Sequence, residues 1–81
     1  MDLLLIYIGK QVKIERKKIN LSQEEFACKV GLHRTFIGDI ENGKRNISIS
    51  TLQKITKSIN MNISEFFSLV ETNLERNEKN E

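Results

Sequence analysis

The stretch from Ser22 to Arg45 narrows the possible folds more than any other, because start and stop signals for two short helices follow one another in it. Ser22 with Glu25 three residues on is a capping box, in which each side chain accepts from a backbone N–H that a helix start leaves free. Phe26, Ala27 and Val30 then form a buried stripe, and Gly31 follows where a left-handed residue can end a helix. The next helix is expected from about Arg34 to Asn42, with Phe36 or Ile37 and Ile40 inward and Gly43 closing it.

The rest of the chain reads the same way. It contains no proline, and its β-branched runs never alternate cleanly over strand length. Apolar residues recur at helical spacing in five segments. In the first, Leu5, Ile8 and Val12 begin a face that Ile19 continues; Ile14 falls off it and Glu15 sits near it. A fourth helix follows Ser48, carrying Leu52, Ile55 and Ile59. Asn62 and Glu65 supply a further capping pattern for a fifth, with Ile63, Phe66, Phe67, Val70 and Leu74. The expected fold is one compact all-α domain over residues 1–74, with 75–81 a polar, frayed tail.

Eighty-one residues leave no room for a core plus a separate effector or catalytic domain. A single cysteine, Cys28, excludes an internal disulfide and is expected as a reduced thiol on a helix surface. No Cys/His set has zinc spacing, and no nucleophile–base set or glycine-rich phosphate cradle is present, so neither metal, cofactor nor enzymatic activity is expected. The apolar start, Leu3 to Ile8, is far shorter than the ~20 residues that span a bilayer. Asp2 ahead of it and the lack of a small-residue cleavage site argue against a signal peptide, so these residues are expected to pack on the core or on a partner in a cytoplasmic protein. Residues 1–50 carry nine Lys/Arg against six Asp/Glu, whereas 51–81 carry four against five. That bias favours a nucleic-acid partner for the first part without requiring one.

Two short helices joined by a glycine turn have the layout of a helix-turn-helix, whose second helix enters the DNA major groove. Ser22-Gln23-Glu24-Glu25-Phe26-Ala27, Val30-Gly31-Leu32, Phe36-Ile37-Gly38-Asp39-Ile40-Glu41-Asn42-Gly43 and Leu52-Gln53-Lys54-Ile55 resemble the lambda-repressor-like (Xre/Cro) helix-turn-helix family. The resemblance covers roughly Ile8 to Phe67 and implies a five-helix DNA-binding domain. Within the family, His33-Arg34-Thr35-Phe36-Ile37 and Lys44-Arg45-Asn46-Ile47-Ser48 are similar to the small controller proteins of restriction-modification systems.

Arg34 and Thr35 would occupy the first turn of the recognition helix, which reaches base edges. Arginine can donate twice to guanine, and threonine offers a hydroxyl and a methyl. Phe36 is either core or a contact to a thymine methyl; Asp39 is either an acceptor for cytosine N4 or a surface acid. Gly38 weakens a helix, which either hints at close backbone approach or is tolerated drift. Phosphate contacts are expected from His33, Asn42 and the loop residues Lys44, Arg45 and Asn46, and the resemblance adds Gln23. Lys10, Lys13, Lys17 and Lys18 read as a solvated face with at most one such contact. The resemblance also implies a structural ion pair, Arg16 with Glu41, bracing the recognition helix from behind.

One recognition helix reads few base pairs, so a homodimer on a two-fold symmetric operator is expected. Ile47, Ile49, Phe67, Val70 and Leu74 are its candidate interface. The resulting expectation is a sequence-specific transcriptional regulator, a controller protein acting on its own gene and on an endonuclease gene. RNA polymerase is a further candidate partner; no membrane and no small-molecule ligand are expected. The alternatives are a phage-type repressor or antitoxin of the same fold, or a protein-interaction adaptor that does not read DNA.

Overall fold

Four of the five helices begin on a side-chain cap, and four end at a residue with positive φ. These features come from a computed structural model that describes residues 2–79. The helices are α1 (Leu3–Lys18), α2 (Gln23–Val30), α3 (Arg34–Glu41), α4 (Ile49–Ser58) and α5 (Ile63–Lys79). Asp2 accepts from Leu4 and Leu5 N–H, and Ser48 accepts from Thr51 N–H. The two expected capping boxes both form: Ser22 with Glu25, and Asn62 with Glu65. At the other ends, Asn20, Gly31, Gly43 and Asn60 take the left-handed conformation. The residue after each then donates back to a carbonyl five positions earlier, as with Leu21 to Arg16 and Met61 to Thr56.

Helix α1 packs on α3 and α5, α2 on α3 and α4, and α4 on α5. Val12, Phe26, Ile37, Ile55, Phe66 and Val70 are fully buried, with Ile8, Ala27, Ile40 and Leu52 around them. Burying a side chain of Phe or Ile size stabilises by about 1.5–3 kcal/mol. Phe26 and Phe66 tie α2 and α5 into this one core. No helix among the described residues is long and apolar enough to cross a membrane.

Four details depart from expectation. Ile19 does not continue the α1 face; it caps the helix and is exposed. Glu15 and Gln11 do belong to that face: Gln11 Nε2 donates to Glu15 Oε2 at 2.7 Å, and Asn73 Nδ2 donates to Gln11 Oε1 at 3.1 Å. This pairing is how a polar stripe tolerates burial between α1 and α5. Val70, a candidate interface residue, is instead core. The chain does not leave helix at residue 75; α5 continues to Lys79, because its last turns hold good helix formers and no glycine or proline. Residues 80 and 81 of the expected tail lie outside the described residues.

Helix α1 crosses the end of α3 closely at Gly9. A Cβ at Gly9 would collide with the carbonyl oxygen of Ile40 and stand 2.8 Å from that of Glu41. Gly9→Ala should therefore lower the melting temperature despite alanine's better helix propensity, by an amount equivalent to about 1–3 kcal/mol. An unchanged or higher melting temperature would refute the close crossing.

The α2 capping box makes stability depend on pH. The backbone N–H of Ser22 first, and its hydroxyl second, hold the Glu25 carboxyl below its ordinary value of 4.5. A carboxyl with a lower pKa in the folded state adds stability above its unfolded pKa, and that stability is lost as pH falls through the folded value. The protein should thus melt above its Glu25→Gln variant at neutral pH, with the difference closing below about pH 4. A difference that persists unchanged in stronger acid would exclude this origin.

Candidate nucleic-acid interface

Helix α3 is held from behind and open in front. Arg16 grips Glu41 with two donors, Nε to Oε2 at 2.7 Å and Nη2 to Oε1 at 3.0 Å. Its third, Nη1, donates to the Leu21 carbonyl at 2.7 Å, so one guanidinium links α1, the α1–α2 turn and α3. Gln23 Nε2 also donates to Glu41 Oε1, at 3.0 Å, and brings in the first residue of α2. The side chains of Arg16 and Glu41 are 8% and 1% exposed. Hydrogen bonding to Glu41 is the largest influence on the Arg16 guanidinium; burial opposes it, the Glu41 charge reinforces it, and the net effect raises its pKa. The Arg16 guanidinium is therefore held more firmly in its charged form than a free arginine.

In front, His33 begins α3 with extended backbone and makes no side-chain cap, leaving the first-turn N–H groups without a side-chain acceptor. Ile37, Ile40 and Glu41 face inward. Arg34 and Thr35 are exposed in the first turn, and Asn42 is exposed at the end. Spacings of three and four place Arg34, Thr35, Gly38 and Asn42 along one outer face. Lys44, Arg45 and Asn46 follow in an exposed loop. Backbone N–H groups at a helix start, together with guanidinium and ammonium groups, suit an anionic ligand.

Phe36 lies between the two roles proposed for it. Its ring is half-buried at the core edge, and the Arg45 guanidinium carbon sits 4.7 Å from the ring centroid. Arg45 Nη2 is also 3.2 Å from Asp39 Oδ2. The three side chains thus form one cluster, in which Phe36 and Asp39 hold the arginine beside the end of α3. Asp39 is accordingly partnered rather than free, and Gln23 has one amide hydrogen engaged by Glu41.

Of the candidate interface residues, Ile49 is 65% exposed, whereas Ile47, Phe67 and Leu74 are half-buried. Leu69 on α5 is also exposed and had gone unnoticed in the sequence, since one apolar residue off a stripe carries no signal. Gly9 was missed for a similar reason: its neighbours at the crossing belong to α3, far away in sequence. The Gln11–Glu15 pair could have been found, because its four-residue spacing continues the face of Ile8 and Val12. Cys28 is an exposed free thiol on α2.

A helix-turn-helix family model matches residues 12–66, from the middle of α1 to the start of α5. The chain belongs to the helix-turn-helix family. This helix-turn-helix protein is 41% identical to control protein C.MunI of a Mycoplasma species over 70 residues, 86% of this chain and 95% of that one. It is also 41% identical to control protein C.BamHI of Bacillus amyloliquefaciens, over 72% of each chain. Among solved structures, the wild-type restriction-modification controller protein C.Esp1396I superposes with a TM-score of 0.85 at 29% identity, covering 94% of this chain and 99% of that one. The tetramer of that controller in complex with its natural 35-base-pair operator matches with a TM-score of 0.80 at 30% identity, over 89% and 95% of the two chains.

Removing the brace should hurt folding before it touches any ligand contact. Arg16→Ala leaves Glu41 buried without its cation, at a cost of about 3–5 kcal/mol. Denaturant melts should show this loss in the isolated protein, and Arg16→Lys should recover only part of it, lacking the planar two-pronged fit. A melt of Arg16→Ala identical to wild type would refute the structural role.

Proposed function

We propose that this chain is a sequence-specific DNA-binding transcriptional regulator that acts as a homodimer on a two-fold symmetric operator. In detail, it is a restriction-modification controller protein governing its own gene and the endonuclease gene. The observation that carries the reading is 41% identity with a control protein across 95% of that protein's length. The braced α3 with its exposed Arg34 and Thr35 supplies the physical counterpart. In this reading Arg34 and Thr35 meet base edges, with Phe36 and Asp39 bordering them. His33, Gln23, Asn42, Lys44, Arg45 and Asn46 meet phosphates, which position the helix without specifying sequence. Ile49, Phe67 and Leu74, with Ile47 and the exposed Leu69, supply the dimer surface. The protein acts without catalysis, in the cytoplasm, and its operator occupancy follows its own concentration. RNA polymerase is the further partner that activation would require.

A phage-type repressor is the second reading, favoured by 33% identity over 57 residues with the immunity repressor protein of Bacillus phage phi105. Neighbouring genes separate the two: a methyltransferase and an endonuclease support the controller, lysogeny genes the repressor.

Footprinting of the purified protein on DNA upstream of its own gene, at stated salt, should reveal a protected two-fold symmetric site. On that site Arg34→Ala should lose about 1–3 kcal/mol and relax specificity at one base position per half-site. Lys44→Ala should weaken binding to all sequences alike and reduce the salt slope by about one. Absence of a protected symmetric site, or indifference to Arg34→Ala, would favour an adaptor that does not read DNA.

A further inference from the structure

Nothing inside the protein requires a glycine at position 38. The residue lies in the middle of α3 with helical backbone, and a Cβ there would meet only Gln23 Oε1, at an ordinary 3.7 Å. The contrast is with Gly9, where α3 carbonyls block a Cβ, and with Gly43, at φ +68, where a Cβ would stand 3.0 Å from the Ile6 backbone. Glycine is the poorest helix former after proline, so an eight-residue helix is weakened here without internal compensation. The position falls on the outer face, one turn after Arg34 and Thr35 and one turn before Asn42. The absent side chain leaves a notch in the middle of the exposed ridge.

We propose that Gly38 is a specificity-determining residue whose bare α-carbon seats a thymine C5-methyl group in the major groove. The assignment rests on reading α3 as the recognition helix. The backbone of the notch offers no free acceptor, because the Gly38 carbonyl already accepts from Asn42 N–H at 3.1 Å; Gln23 Oε1 stands at its edge, 3.7 Å from where a Cβ would sit, and the floor is the bare α-carbon. It therefore selects an apolar feature, and among major-groove base edges that feature is the thymine methyl. A Cβ at this position fits the folded protein but occupies the space the methyl needs.

The test uses the full chain, its Gly38→Ala variant, the footprinted operator, a shuffled duplex, and operators in which each thymine in turn is replaced by deoxyuracil. Gly38→Ala should melt about 2–8 °C higher at equal protein concentration. It should bind the operator about tenfold or more weakly, with shuffled-DNA affinity and self-association unchanged. One deoxyuracil substitution per half-site, removing the methyl, should restore most of the lost affinity for the variant while weakening the wild type. Operator binding by Gly38→Ala equal to wild type overturns the proposal, as does a loss that no deoxyuracil relieves or a lowered melting temperature. Failure of the wild-type protein itself to distinguish operator from shuffled DNA overturns instead the recognition-helix reading on which the assignment depends.

Discussion

The two-pronged contact between Arg16 and Glu41 is the constraint on which the rest of the fold is hung. Helix α3 has only eight residues and could not hold itself in water. Its orientation depends on the core side of Ile37 and Ile40 and on this buried pair at its last turn. Because Arg16 also binds the Leu21 carbonyl and Glu41 also receives Gln23, the four groups lock α1, the following turn, α2 and α3 into one body. Buried charge is a poor source of net stability but a strong source of uniqueness in such a place, since alternative packings would leave it unpaired.

The sequence disclosed its helices well because their boundaries are written in local chemistry. Ser22, Glu25, Gly31, Ser48 and Asn62 act within a few residues of themselves, so their roles can be read without tertiary knowledge. Asn20 and Asn60 carried the same stop signal as the glycines in weaker form, for asparagine visits the left-handed region less readily. What stayed hidden was set by distant partners. Val70 looked like surplus apolar surface until α1 and α4 closed over α5, and Gly9 looked ordinary until α3 lay across it. The Arg45, Asp39 and Phe36 cluster was illegible for the same reason, although each residue had been singled out separately.

Two polar links converge on α1, the seam between Gln11 and Asn73 and the Arg16–Glu41 brace. The first, part-buried, joins α1 to α5, and the second, buried, joins α1 to α3. Helix α1 is therefore the common support for the outer face of α3 on one side and for the exposed Leu69 of α5 on the other. A shift of α5 against α1 would take the Asn73 donor from Gln11 Oε1, on a buried side chain, which is costly. The α3 outer face and Leu69 are thereby tied to one another through α1.

The four helix ends that turn on Asn20, Gly31, Gly43 and Asn60 also bear on how fast the protein can form. Each reversal is closed by hydrogen bonds reaching no more than five residues back, so little chain entropy is lost before contacts begin to compensate. All-helical domains with such local closures reach the native state in microseconds to milliseconds. The pool of folded protein then follows synthesis and degradation with no lag of its own. Synthesis at about 5–20 residues per second is slower than that folding, so each molecule is folded almost as soon as it is complete.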